Sequence, residues 1–311
     1  MSLKTIGKAF LRPLPQWAPV GISPPQQAVS VSLEWNGHAA DVTGNHTIAS
    51  LKPLTVAIGL DAATYDLTLG TLTFADAVTG KPIGLLQLSR VATRDVGGAQ
   101  TGFFQIVGAH HQCLPWPRRP WNAMLQARAI RRFRRPHNFY MPPAAVQQLM
   151  IFYICPRPVV LVSVSEKNHS NLFPMDLIGP LANGCFTLAL RSTNVSVPTM
   201  VETRRFAISG MRAEHKDVVY KLGEHHKKEF VAWDELPLLV VSSETLKLPV
   251  IGSALWIREL LVEESEAIGS HMFFTCRVVS ERRSSPGLQL HHTAGFHQEF
   301  RKMRGKPFPP A

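Results

Sequence analysis

Residues 157–209 restrict what this chain can fold into more than any other stretch. They read RPVVLVSVSEKNHSNLFPMDLIGPLANGCFTLALRSTNVSVPTMVETRRFAIS. A run of Val and Leu over 158–164 is ended by Ser165, Glu166, Lys167, Asn168 and His169, which predicts a strand followed by a hairpin turn. Asn171, Leu172, Phe173 and Pro174 restart an extended chain, and residues 185–190 form a second apolar run. Pro198 suits the first turn of a short helix over 198–203, and residues 205–209 re-enter a strand. Hairpin, strand, short helix and strand is a barrel-like order.

These residues resemble the flavin reductase-like family, whose fold is an FMN-binding split β-barrel. The matching points are the strand that opens at Arg157 and Pro158, Asn171 to Pro174 after the hairpin, Arg191, Ser192 and Thr193 after the next strand, Pro198 and Thr199 at the helix, and Phe206 to Ser209. Downstream, Leu248, Pro249 and Val250 lead into an apolar run over 255–262. Gly269, Ser270 and His271 then lead into another over 273–279, similar to the family's Gly-Asp-His before an apolar strand. The resemblance covers residues 146–283, and its weight lies in the order and spacing of motifs that are individually short.

The resemblance implies an FMN site. Arg191, Ser192, Thr193 and Thr199 would meet the phosphate, with Asn194 in the same turn and backbone N–H groups at the helix start assisting. The ring would lie along Asn171, Leu172, Phe173, Pro174, Met175 and Asp176, and His271 would take the catalytic position beside the nicotinamide donor or the flavin. The implied activity is hydride transfer from NADH or NADPH to flavin N5, in a homodimer with the flavin near the subunit contact and with an oxygenase or other electron acceptor as partner. No nucleophile or acid–base constellation is visible, which also fits the alternative of a non-catalytic FMN-binding or scaffold protein. Two positions depart from the family pattern. Val197 and Pro198 stand before Thr199 where many members carry a cation and Asp, so the cation must come from Arg191, Arg204 or Arg205. Asp176 stands where members often carry Ser, and a carboxylate there would disfavour an anionic reduced ring.

The rest of the chain divides as follows. Residues 1–28 carry Pro13, Pro15, Pro19, Pro24 and Pro25 and read as an extended arm outside regular structure. Residues 29–112 hold strand candidates over 29–35, 54–60, 65–74, 83–91 and 101–107, a β-rich unit without a recognisable repeat of the second half. Residues 113–145 contain an Arg-rich helix whose apolar side would be Trp121, Met124, Leu125, Ile130 and Phe133. After the 146–283 barrel, which holds a helix over 215–228 broken near Gly223 and strands over 233–241, 255–262 and 272–279, residues 284–311 read as a wrapping tail. The fold class is therefore mainly β with short helices.

A net charge of +11 invites phosphate-bearing partners. Its concentration in Arg118, Arg119, Arg128, Arg131, Arg132, Arg134 and Arg135 leaves two readings, an interdomain helix packed on one side and solvated on the other, or a basic amphipathic helix that docks on nucleic acid, lipid or an acidic partner protein. Nucleic acid is disfavoured, because aromatic side chains are not interleaved with the arginines beyond Phe133. The apolar runs are too short for a bilayer and the first ten residues lack a secretory core, which makes a cytoplasmic location the expectation. Cys113, Cys155, Cys185 and Cys276 lack paired spacing. His225 and His226, and His291, His292 and His297, suggest metal ligands by spacing alone and read as solvated.

Overall fold

The computed structural model describes residues 13–23, 28–61, 64, 67–132, 140–167, 169–181, 184–284 and 286–311. Its first strand, β1 (Trp17–Ile22), precedes β2 (Val29–Trp35), β3 (His38–Asp41), β4 (His46–Leu51), β5 (Leu54–Gly59), β6 (Leu69–Asp76), β7 (Pro82–Val96) and β8 (Ala99–His111). Helices α1 (Arg118–Arg132) and α2 (Pro143–Phe152) follow. Then come β9 (Arg157–Pro158), β10 (Val160–Glu166), β11 (His169–Met175), β12 (Ile178–Pro180), β13 (Phe186–Arg191), α3 (Val197–Thr203) and β14 (Arg205–Gly210). Helix α4 (Lys216–Lys221) lies between 3-10 turns, and the chain ends in β15 (Val240–Ser242), β16 (Pro249–Ile251), β17 (Trp256–Ile268), β18 (His271–Arg283), β19 (Gln289–Ala294) and α5 (Gly295–Met303).

Two seven-stranded antiparallel sheets dominate. Their orders are β3-β2-β6-β7-β8-β5-β4 and β11-β10-β14-β17-β18-β13-β12. Matching β2 to β8 with β10 to β14 followed by β17 and β18 makes the two orders the same. The turns agree as well: Trp35 faces His38 as Glu166 faces His169, and Val96 faces Ala99 as Ile268 faces His271. The first half is thus a structural repeat of the second, which corrects the sequence reading. Two differences hide it. Helix α3 lies between β13 and β14 while residues 60–68 join β5 to β6, and residues 211–255 separate β14 from β17 while β6 turns directly into β7.

That long insertion explains the difference in strand pattern. β2 alternates buried and open positions, so one face meets solvent. β10 is buried from Val160 to Val164, because its second face is covered: Leu161, Leu172 and Ala207 pack with Val219, Leu222, Val250 and Ile251 of the insertion. The other face joins one apolar core shared by both repeats, including Phe74, Phe104, Phe152, Phe206 and Phe274. β4, at the edge of the first sheet, lies against β12, β13 and β18 of the second, and Phe103 meets Phe273 edge-on with centroids 5.6 Å apart.

Several expectations change at the chain ends. The proline-bearing arm enters regular structure, because β1 pairs with β19 from Trp17 opposite Ala294 to Ile22 opposite Gln289. Residues expected as a tail supply that partner strand and α5. Helix α1 buries Asn122 and Gln126, whose amides accept from Leu14 N–H at 2.9 Å and donate to Leu14 O at 3.1 Å. Trp121 and Met124, expected on its packed side, are exposed. Phe133, Arg134 and Arg135 lie outside the described residues. Residues 233–235 form a 3-10 turn, so the strand expected over 233–241 shrinks to β15. Among the described residues no helix is long and apolar enough to cross a membrane.

Candidate functional site

β11 delivers the expected ring-binding segment to two different environments. Asn171 is fully buried, and its amide Nδ2 donates to Ser196 Oγ at 3.0 Å, His225 O at 3.0 Å and Lys228 O at 2.8 Å. It ties the insertion and the start of α3 to the strand. Leu172 and Phe173 are fully buried in the two opposite cores. Only at Pro174, Met175 and Asp176 does the segment reach open space, a cleft of about 380 Å³.

The apolar wall of this cleft is assembled from distant parts of the chain: Trp17 of β1, Leu51 of β4, Leu149 of α2, Val159 and Met175. Its polar side is a hydrogen-bonded row. Tyr153 Oη donates to Asp176 Oδ2 at 2.8 Å, His292 Nδ1 lies 2.7 Å from the same oxygen, and Tyr220 Oη lies 2.8 Å from His292 Nε2. With Nδ1 donating to the carboxylate, Nε2 is left to accept from Tyr220. Burial pushes the Asp176 carboxyl up, but the hydrogen bond from His292, with help from Tyr153 and Arg157, outweighs it and holds the group below its ordinary value. Asp176 therefore stays a carboxylate with Oδ2 already engaged. Burial, together with Asp176, keeps Tyr153 protonated and pushes Tyr220 up to about 12.

Arg191 stands on the cleft at the end of β13, with Ser192 and Thr193 exposed beside it. Ser192 N–H donates to Ser270 O at 3.1 Å. Asn194 closes the turn from inside, its Oδ1 accepting from Ser196 N–H at 2.8 Å and its Nδ2 lying 2.9 Å from His226 Nδ1. Thr199 is half-buried in α3, and its carbonyl accepts from Thr203 Oγ1 at 2.8 Å. Of the three arginines open to a phosphate role, Arg204 donates to Val262 O at 2.9 Å and also to Glu263 O, and Arg205 pairs with Glu166 at 3.3 Å. Arg191 alone of these lines the cleft.

His271 is opposite Arg191 in the sheet and buried. Its Nδ1 lies 2.9 Å from Ser270 Oγ and 3.4 Å from the Leu51 N–H, so it bridges the two repeats. Burial, with the charge of Arg191, lowers it to about 4 and keeps the ring neutral. The other histidines also differ from the solvated reading. His225 and His297 are buried, and His226 lies on the cleft, lowered to about 4 mainly by burial. Among the described residues no group of three His, Cys, Asp or Glu is placed to hold a metal.

No family model matches the chain, and no curated protein matches it. Solved structures do resemble it. The flavin reductase component of a bacterial two-component tryptophan halogenase is 15% identical over 47% of this chain and 92% of its own, with a TM-score of 0.43. An NADH:FAD oxidoreductase of Streptomyces globisporus is 18% identical over 52% and 96%, with a TM-score of 0.42. An FMN-binding protein from Thermus thermophilus, solved with p-hydroxybenzaldehyde, is 22% identical over 52% and 91%, with a TM-score of 0.41. The likeness spans about half of this chain.

Trp17, Leu51, Tyr153 and Tyr220 are cleft residues that the sequence did not single out, and His226 and His292 read there only as solvated histidines. They come from the arm, the first repeat, the end of α2, the insertion and the last strand. No local motif connects them, since only the tertiary fold makes them neighbours.

Proposed function

We propose that the cleft binds a flavin nucleotide and that the protein transfers hydride between a nicotinamide donor and that flavin. The observation that supports this best is the meeting, in one cleft of about 380 Å³, of an apolar wall with Arg191. An aromatic ring system needs the first and a phosphate the second. Met175, Leu51 and Trp17 would receive the ring, while Arg191, Ser192 and Thr193 would take the phosphate. When bound, a flavin supplies the hydride-accepting atom, and NADH or NADPH would be the donor. The work left to the chain is to hold the two rings together and exclude water, which needs no nucleophile. Asp176, with Oδ2 held by Tyr153 and His292, orders this floor and leaves a negative charge near it.

His271, braced between Ser270 and Leu51, would act by placing Arg191 and the turn after it. FMN is the cofactor we favour, and an oxygenase or another electron acceptor the partner. The family resemblance implies a homodimer, whereas the internal repeat offers a different arrangement. The test is anaerobic stopped-flow mixing of the flavin-loaded protein with NADH and with NADPH. Bleaching of flavin absorbance on mixing is expected. Unchanged absorbance with both donors would make the protein a flavin-binding module, and failure to take up FMN at all would remove the reading.

A further inference from the structure

The two repeats meet as copies in a symmetric dimer meet. Across a two-fold axis a surface faces itself, so a residue near the axis lies opposite its own equivalent. The turn registers make Gly97 the equivalent of Gly269, and hence Arg94 the equivalent of Glu266. Those two side chains face each other at 3.5 Å. β4 and β12 are equivalents and lie against one another. Each long hairpin also docks its tip on the other repeat. Ser270 N–H donates to Lys52 O at 2.9 Å, and Gly97 lies at the head of β13, where an added Cβ would stand 3.5 Å from Cys185 Cβ.

The copies have diverged where the cleft lies. Arg191 is opposite His271 in the second sheet, Gly59 is opposite Thr101 in the first, and Leu60 N–H follows on Gln100 O. Carrying the register through puts Asp61 in the place of Arg191. Its Oδ1 accepts from Thr64 N–H at 3.0 Å and Oγ1 at 2.8 Å. A carboxylate at that position repels a phosphate where a guanidinium attracts it. Among the described residues the first repeat also has no counterpart of α3 or of the insertion that brings Tyr220 and His226 to the cleft.

From this geometry we infer that the chain is a fused pseudo-dimer, working as a monomer with a single flavin site. The first repeat fills the place of a second subunit. It supplies Leu51 to the cleft wall, and its Lys52 carbonyl holds Ser270, whose own carbonyl holds Ser192 in the phosphate turn. Among the described residues it has no site of its own. The identity of the ligand rests on the function proposed above, whereas the fused arrangement does not.

Light scattering after gel filtration, combined with an FMN titration of the full chain, tests both parts. The expected result is a particle of 34.5 kDa binding one FMN. Two FMN per chain would overturn the loss of the first site. A particle of twice the mass that loses FMN as it dissociates on dilution would overturn the fusion. A particle of one chain's mass that takes up no FMN would support the fusion and sink the flavin reading, so the two failures are distinguishable. A pair of variants tests the bracing. Gly269 has φ +54°, and an added Cβ would stand 2.8 Å from Ser50 Oγ and 2.9 Å from Pro53 Cδ. Gly97 has φ +59° with, among the described residues, Cys185 and Glu263 in reach. Both alanines strain a positive-φ turn, but only Gly269→Ala drives Ser270 off Lys52. Gly269→Ala should weaken FMN binding ~10-fold or more while Gly97→Ala stays within about 2-fold, a difference of ~1 kcal/mol or more. Equal effects of the two would overturn the bracing role.

Discussion

In the proposed site Arg191 would be the cation that phosphate recognition depends on, because of Arg191, Arg204 and Arg205 it is the one that lines the cleft. A hydrogen bond to a charged group is worth about 1.5–3 kcal/mol, or about 10- to 100-fold in affinity. Arg191→Gln should weaken FMN by that factor and leave riboflavin, which has no phosphate, unaffected in a fluorescence titration. An equal loss for both ligands would place Arg191 in folding instead. Under the proposed function Asp176 would act on the chemistry rather than the binding. Replacing it with Asn keeps the shape and one acceptor for Tyr153 while removing a charge that opposes the anionic reduced ring. A unit charge at roughly 8 Å and an effective dielectric near 20 contributes about 2 kcal/mol, or roughly 45 mV for a two-electron couple. Asp176→Asn should therefore raise the flavin potential in a reductive titration against a reference dye. An unchanged potential would show that the carboxylate's charge does not reach the ring.

Among the elements, β1 matters out of proportion to its length. It pairs with β19, whose other edge pairs with β9, and it places Trp17 6.2 Å from both Tyr153 and His292 by ring centroids. Trp17 is 41% exposed, so Trp17→Ala should cost little stability and still remove a cleft wall. A loss of about 1–2 kcal/mol of stacking and contact area is expected, roughly 10-fold in FMN affinity with Tm nearly unchanged. An unchanged affinity would put the ring elsewhere. The sequence carried the strands of the second repeat well, because a strand buried on both faces leaves a run such as Val159 to Val164 that few other structures produce. It carried β2 too, through alternation that ends at Asn36 and Gly37. What it did not carry was pairing order. Periodicity tells which face a residue takes and says nothing about which strand lies beside it. The repeat was hidden for that reason, and because α3 and residues 211–255 break the spacing; at equivalent places β2 and β10 retain little more than Val29, Val31 and Ser32 against Val160, Val162 and Ser163. The candidate site was half legible for a related reason. Pro174 to Asp176 and Arg191 belong to motifs, whereas Trp17, Leu51 and His292 reach the cleft only through β1 pairing with β19 and β4 docking on the second sheet.

At the scale of the whole molecule, the packed seams between repeats, arm and last strand are lined with neutral histidines. Burial is the leading cause that lowers His46, His111, His226, His271 and His291 to about 4 and His297 to about 3. In the unfolded chain each titrates near 6.5. Above that value neither state holds the protons, so the histidines contribute no pH dependence. Below it the unfolded chain binds protons that the folded one excludes, and stability falls as pH drops through the window from 6.5 toward 4. Each fully titrating histidine contributes up to about 1.4 kcal/mol per pH unit there, against a total stability of about 5–15 kcal/mol for an ordinary protein. Carboxylates held low in the fold, Asp176 and Glu259 among them, titrate near 4 when unfolded and act only at the acid end of this range. The interval from pH 6.5 to 5 therefore isolates the histidines. Tm should fall steeply across it, and His297→Gln, which removes one buried titrating ring that lies 3.0 Å from Thr293 Oγ1, should lower Tm at pH 7 yet flatten the acid limb by about one proton. A Tm that holds level from pH 7 to 5 would mean that these rings take up protons in the folded state, and so that water reaches the seams between the repeats.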